Sequence, residues 1–366
     1  MHIPFCAKKC SYCDFYSLPL GRHAGGSYVN AVLRESETYT GMSFQTMYLG
    51  GGTPSLLGSK LVTDLIYSLS KALNLADMVE FTIEVNPEST TSEFLKAIKN
   101  VGVNRVSIGV QSLADGELKA IGRIHTAAEA MKTVMLAKRL GFKAVSADLM
   151  IGLPGQTWLT LSRSLDTLVH SGIEHLSLYC LSLEGGTPLS KSPPDNLPSD
   201  DMQAELFQYA SSFLKGQHYV HYEISNFALK GYECRHNINY WRGGDYLGLG
   251  PAAASHLGGI RFRNRADLND YLEKPNGIIE DGEELNTKDK AAEEAMLRLR
   301  LLVEGIEVSQ LTARFGQDNI EALIGRFEYM VSQGRLLTDG SRYQLPSNRV
   351  LTSNPIFAEV IEAGSV

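Results

Sequence analysis

The sequence predicts an α/β protein. Its larger part should be a partial parallel (β/α)6 barrel, and its C-terminal end a winged-helix-like α+β domain. Three observations lead there. Short apolar or alternating runs recur with helical segments between them, polar residues of chemical interest gather at the ends of those runs, and beyond residue 286 the pattern changes to helix, helix, hairpin.

The strands are expected at TMYLG (46–50), EFTIEV (80–85), RVSIGV (105–110), AVSADLM (144–150) and HLSLYC (175–180). A short first strand before Cys6, drawn from Met1–Phe5, would make six. Helices between them are legible from Ala127 to Leu140, where Ala130, Val134, Ala137 and Leu140 share a face, and from Trp158 to Val169. Residues 184–200, EGGTPLSKSPPDNLPSD, carry four prolines and read as a loop. A helix near 199–215 and a strand YVHYEIS (219–225) follow, then a stretch rich in glycine and aromatics. In the last part Ile320, Leu323, Ile324, Phe327, Met330 and Val331 form one apolar stripe, and GRLLTDGSRYQLP reads as two strands turned at Asp-Gly. The expected division is 1–225 for the barrel, 226–285 for a connecting region and 286–366 for the winged-helix-like domain.

Winged helices often bind DNA, but residues 286–366 hold nine Lys and Arg against eleven Asp and Glu. That leaves no basic footprint, and a structural or partner-docking cap is the better expectation. The formal net charge of −7 weighs against nucleic acid for the whole chain as well. No apolar run approaches the roughly 20 residues that span a bilayer, and a cytoplasmic address is expected.

Five cysteines fit that address better than they fit a disulfide framework. Cys180 sits in an apolar run and reads as a small buried hydrophobe. Cys6, Cys10 and Cys13 stand instead at C-x3-C-x2-C spacing on a loop after the first strand. Thiolates select zinc or iron–sulfur clusters. Zinc usually closes with four protein ligands, for which Cys234, His236 or His2 would have to be recruited. A 4Fe–4S cluster on three cysteines leaves one iron open to a small molecule. Parallel α/β folds gather their chemistry at the strand ends that carry this loop.

The C-x3-C-x2-C loop, followed by an aromatic, resembles the cluster loop of the radical S-adenosylmethionine enzymes. In these the open iron chelates the amino and carboxylate groups of the cofactor's methionyl part. Gly50-Gly51-Gly52-Thr53-Pro54 is similar to that family's GGTP turn, where glycine lets the backbone approach the methionyl ammonium. The resemblance assigns Gly51, Gly52, Thr53 and Glu84 to S-adenosylmethionine. Gln111, Arg123 and Asp148 resemble the polar residues around cofactor in the porphyrin-related branch, and line a second site in relatives that bind two cofactor molecules.

Within that branch two features favour a haem chaperone over the related oxygen-independent coproporphyrinogen III oxidase. Phe15 stands where the oxidase carries a further cysteine, and His236-Asn237-Ile238-Asn239-Tyr240-Trp241 matches the HNxxYW element typical of the chaperones. The resemblance implies a protein that binds haem and a 4Fe–4S cluster with S-adenosylmethionine and delivers haem to apo-haemoproteins of respiration. It also implies a one-electron donor such as flavodoxin or ferredoxin, and transient membrane association. His236, beside Tyr and Trp, is the expected haem ligand, with Cys234 and His256 as further candidates. A radical oxidase acting on coproporphyrinogen III is the alternative, and a zinc-stabilised binding protein the third reading.

Overall fold

The computed structural model describes residues 1–21, 24–276 and 279–364. The chain forms two compact units: Met1–His218 with Gly248–Ala254 and Arg263–Glu280, and Tyr219–Leu247 with Ser255–Phe262 and Asp281–Val366. The segment 226–285 is thus shared between them.

Six strands run through the first unit: β1 (His2–Ile3), β2 (Thr46–Gly51), β3 (Glu80–Val85), β4 (Arg105–Gln111), β5 (Ala144–Ile151) and β6 (His175–Cys180). They pair in chain order and all in parallel. Neighbours in sequence being neighbours in the sheet is the winding of a barrel, not of a doubly wound sheet. The six-stranded parallel arrangement is the predicted one, and the short first strand pairs through His2 with Gly50 and Ile3 with Gly51.

These strands are nearly continuous apolar runs because they are buried on both faces. All of Arg105–Val110 is buried, as are Phe81, Ile83 and Val85 of β3. The helices turn an apolar face inward, for example Val62, Leu65, Ile66 and Leu69 of Gly58–Ala72. Their ends follow local chemistry. Thr126 and Glu129 close a capping box on Ala127–Leu140, and Gly141 ends that helix at φ 70°. Thr157 caps Trp158–His170, and Ser199 caps Asp200–Gly216. Residues 184–200 are not wholly irregular: Thr187 caps one helical turn, Pro188–Lys191, which proline opens because it needs no N–H donor there.

In the second unit the predicted strand 219–225 is shorter than expected. Only Val220–His221 is extended, and it pairs antiparallel with Asn226–Ala228. The HNINYW sequence lies on a short helix, Arg235–Trp241. Three helices, Thr287–Arg298, Val308–Phe315 and Gln317–Ser332, precede a hairpin of Leu337–Thr338 and Arg342–Gln344, to which Ile306–Glu307 adds a third strand. This is the winged-helix outline. The predicted stripe supplies its core through Ile320, Leu323, Phe327 and Met330, and the hairpin turns at Gly340, φ 93°. A last helix, Asn354–Gly364, packs so closely on Thr287–Arg298 that a Cβ on Gly364 would lie 2.3 Å from that of Ala292.

Candidate functional site

The C-terminal ends of β2 to β6 and the cysteine loop that follows β1 line a cavity of about 470 Å³ in the first unit. Cys6, Cys10 and Cys13 line it together with Gly51, Gly52, Glu84, Gln111, Arg123 and Asp148. Thr53 stands just behind this lining. Nine of the ten residues expected in this unit therefore share one surface, and the tenth touches it.

The glycine turn is built by close approach. Gly52 N donates to Ile3 O at 2.7 Å and Thr53 N to Phe5 O at 2.6 Å, which seats the turn against the start of the cysteine loop. A Cβ on Gly52 would lie 2.5 Å from Phe5 O, and one on Gly51, at φ 103°, would collide with the His2 ring. A Cβ on Gly50 would meet the Glu84 carboxylate at 2.6 Å. Glu84 accepts from Tyr48 Oη at 2.7 Å and from Gly51 N at 3.1 Å. Burial nevertheless holds its carboxyl above the usual carboxylate range.

Asp148 accepts from Ser107 Oγ at 3.1 Å. Burial first, then the charge of Glu84, pushes its carboxyl up to about 7, against hydrogen bonds from Ser177 and Ser107. Gln111 closes β4 in the left-handed region, φ 64°, after a register shift between Ile108 and Gln111. A non-glycine residue there costs about 1 kcal/mol or more, and the bend carries Gln111 to the cavity wall.

Along the cavity wall runs a chain of hydrogen bonds that ties two of the cysteines together, with Asn86 and Arg123 in the lining and Thr53 behind it. Thr53, 2% exposed, donates its hydroxyl to Cys6 Sγ at 3.7 Å and accepts from Asn86 Nδ2 at 2.8 Å. Asn86 Oδ1 accepts from Arg123 Nη2 at 2.7 Å, and Arg123 Nη1 donates to Cys10 Sγ at 3.6 Å. Arg123 is held in turn by Gly109 O at 3.0 Å and Glu88 at 3.7 Å, and Glu88 by His125 at 3.2 Å. A buried guanidinium and a hydroxyl are thus directed at two of the three sulfurs. At Cys13 burial, and beyond it the neighbouring Cys10 and Cys6, push the thiol up.

That donor set fits an iron–sulfur cluster. No three of the described Cys, His, Asp and Glu side chains converge closely enough to hold one metal ion. A cluster does not ask for that convergence, since each thiolate ligates its own iron and the cluster brings its own sulfides.

Cys180 departs from expectation. It lines this cavity from the end of β6 rather than lying buried, although its surroundings push its thiol up to about 11. Asn86, Tyr48, Ser107 and Tyr179 were not singled out in the sequence. The one signal for Asn86 was its place in IEVNP, two residues after Glu84.

The second unit holds the other candidates. His236 Nε2 is 3.1 Å from Tyr240 Oη, and the two rings meet edge to face with centroids 4.9 Å apart. Desolvation lowers the imidazole to about 3, so it is neutral. Cys234 is 2% exposed and its backbone N donates to Tyr222 Oη at 3.2 Å. His256 lies apart from His236, on the wall of a second cavity that Tyr240 and Trp241 also line.

A parallel barrel with three thiols and a glycine cradle at one rim defines a radical S-adenosylmethionine protein, and the Radical SAM superfamily model matches residues 1–168. The chain belongs to the HemW family within that class. It is 32% identical to the heme chaperone HemW of Lactococcus lactis over 98% of this chain and 96% of that one. It is 36% identical to the heme chaperone HemW of Escherichia coli over 82% of each. Among solved structures, coproporphyrinogen III oxidase (HemN) from Escherichia coli shares the fold, with a TM-score of 0.84 over 99% of this chain and 88% of that one at 21% identity. Membership of the radical SAM class implies a 4Fe–4S cluster and S-adenosylmethionine. No helix among the described residues is long and apolar enough to cross a membrane.

Proposed function

We propose that the protein is a haem chaperone: it binds haem, holds a 4Fe–4S cluster with S-adenosylmethionine, and passes haem to apo-haemoproteins without oxidising coproporphyrinogen. The observation that carries this reading is similarity to the HemW relatives along almost the whole chain, the second unit included. Cys6, Cys10 and Cys13 would hold the cluster, which supplies an open iron for the cofactor's amino and carboxylate groups. Gly51 and Gly52 leave room for the methionyl part. Glu84 accepts from its ammonium or from the ribose, and Gln111, Arg123 and Asp148 border the remaining space. His236 belongs to the haem-binding equipment of the second unit.

Support for a chaperone over an oxidase comes from Phe15. It stands 65% exposed at the cavity rim where the oxidase has a further cysteine. The oxidase reading is favoured by the shared fold alone, and one fold hosts many activities. The expected recipients are respiratory apo-haemoproteins in the cytoplasm or docked transiently at a membrane, with flavodoxin or ferredoxin as electron donor. The test is transfer. Haem-loaded protein is mixed anaerobically with an apo-haemoprotein, and the recipient's absorbance and activity are followed. Reconstitution faster than from the same concentration of free haem supports the reading, and equal rates refute it.

A further inference from the structure

The second cavity lies wholly within the second unit and measures about 380 Å³, within the range of small-molecule sites. Its wall is aromatic: Tyr240, Trp241, Tyr246 and Phe315 take part, and His256 joins them. Tyr240 and Tyr246 meet edge to face at 4.4 Å, and the Tyr246 ring centroid is 6.0 Å from that of His256.

His256 is arranged differently from His236. Its Nδ1 lies 3.4 Å from Gly244 O and 3.9 Å from the Asp245 carboxylate, so both neighbours of that nitrogen are acceptors. In the neutral ring these acceptors place the proton on Nδ1 and leave the lone pair on Nε2. Among the described residues Nε2 has no hydrogen-bond partner. An imidazole whose far nitrogen is fixed by a carbonyl or carboxylate is the usual form of a metal-ligating histidine. His236, by contrast, has its Nε2 engaged by Tyr240.

Charge at the cavity is also uneven. Arg261 pairs with Glu293, and Arg314 with Glu294 at 2.6 Å. Lys290 lines the same cavity and forms no ion pair among the described residues.

We propose that this cavity is the seat of haem, with His256 Nε2 as the iron ligand and Lys290 as the partner of a propionate. The proposal rests on the haem-chaperone reading and goes beyond the HNxxYW histidine. An apolar aromatic wall, a nitrogen lone pair held in one orientation and a spare cation are what a flat iron macrocycle with acidic side chains requires. The cavity covers part of such a molecule and leaves an edge outside, which suits a cargo that must depart. His236 is then a positioning residue: it holds Tyr240, which packs on Tyr246 beside His256.

The test uses the full chain and ferric haem, titrated by absorbance, for wild type, His256→Ala, Lys290→Gln and His236→Ala. His256→Ala is expected to weaken binding about tenfold or more and to shift the Soret band, with added imidazole restoring both. Lys290→Gln should weaken binding several-fold with an unchanged band. His236→Ala should weaken binding without loss of the histidine-ligated spectrum. Rescue by imidazole shows that a folded site remains, so misfolding cannot mimic the result. Wild-type affinity and spectrum in His256→Ala, with both lost in His236→Ala, would overturn this site and leave the chaperone reading standing. A wild-type protein that bound no haem would overturn both.

Discussion

Arg123 Nη1 lies 3.6 Å from Cys10 Sγ, and the same guanidinium bonds Asn86, whose amide bonds the Thr53 hydroxyl that donates to Cys6. One arginine thus reaches two of the sulfurs proposed to hold the cluster, Cys10 directly and Cys6 through Asn86 and Thr53. Hydrogen bonds and positive charge at ligand sulfurs raise a cluster's reduction potential. Arg123→Gln should lower the potential of the reconstituted protein by on the order of 50 mV, the equivalent of about 1.2 kcal/mol for one electron. Arg123→Lys, which keeps the charge but not the fork, should fall between. A redox titration followed by paramagnetic resonance reads the shift, and an unchanged potential in Arg123→Gln would mean that the contact to Cys10 does not reach the cluster.

Replacing any one of Cys6, Cys10 and Cys13 by alanine should bring iron and sulfide after anaerobic reconstitution well below the 4Fe–4S content of wild type. Cys180→Ala and Cys234→Ala should leave both unchanged. Cys180 is the sharper control, because it lines the same cavity. Loss of iron in Cys180→Ala equal to that in Cys13→Ala would reassign the ligand set.

Gly52→Ala is expected to destabilise the first unit by at least about 2 kcal/mol. The added methyl would lie 2.5 Å from Phe5 O and 2.8 Å from Ile3 O, both backbone atoms that cannot step aside. Gly26→Ala, on the helix Ala24–Glu37 with nothing within 4 Å of the new methyl, should be neutral or slightly stabilising. Denaturant melts of the two variants against wild type decide it, and equal midpoints for both would remove the steric argument.

Asp148 gives a pH dependence of known sign. Its carboxyl is raised to about 7 in the folded protein from an unfolded value near 4, so between those values the folded chain holds a proton that the unfolded chain has released. Stability therefore falls as pH rises through that window and levels off above it. Asp148→Asn cannot ionise, so its stability relative to wild type should rise by about 2–3 kcal/mol between pH 5 and pH 7.5. Denaturant titrations of the cluster-free protein at the two pH values measure this. A constant difference would show that Asp148 ionises freely in the fold.

Much of this was legible in the sequence because it rests on local signals. The strand cores are apolar runs. The helix Ala127–Leu140 shows its apolar spacing, and the cysteine spacing is itself the chemistry. What escaped depends on contacts between distant residues. Nothing local marks Asn86 as the link between Thr53 and Arg123, which are 70 residues apart in sequence. Cys180 sits in a run that reads as core, yet β6 ends at its position and turns it to the cavity rim. The short strand at Val220–His221 looked longer because YVHYEIS alternates well. Its second half is a turn in which Asn226 N donates to Glu223 O.

If this radical SAM fold carries finished haem rather than making its precursor, haem binding and coproporphyrinogen turnover must separate. The direct measurement pairs two assays on one anaerobic, cluster-loaded preparation: haem titration by absorbance, and conversion of coproporphyrinogen III with S-adenosylmethionine and an electron donor. Saturable haem binding with no protoporphyrinogen formed is the expected result. Robust turnover of coproporphyrinogen, or a preparation with a full cluster that binds no haem, would contradict it.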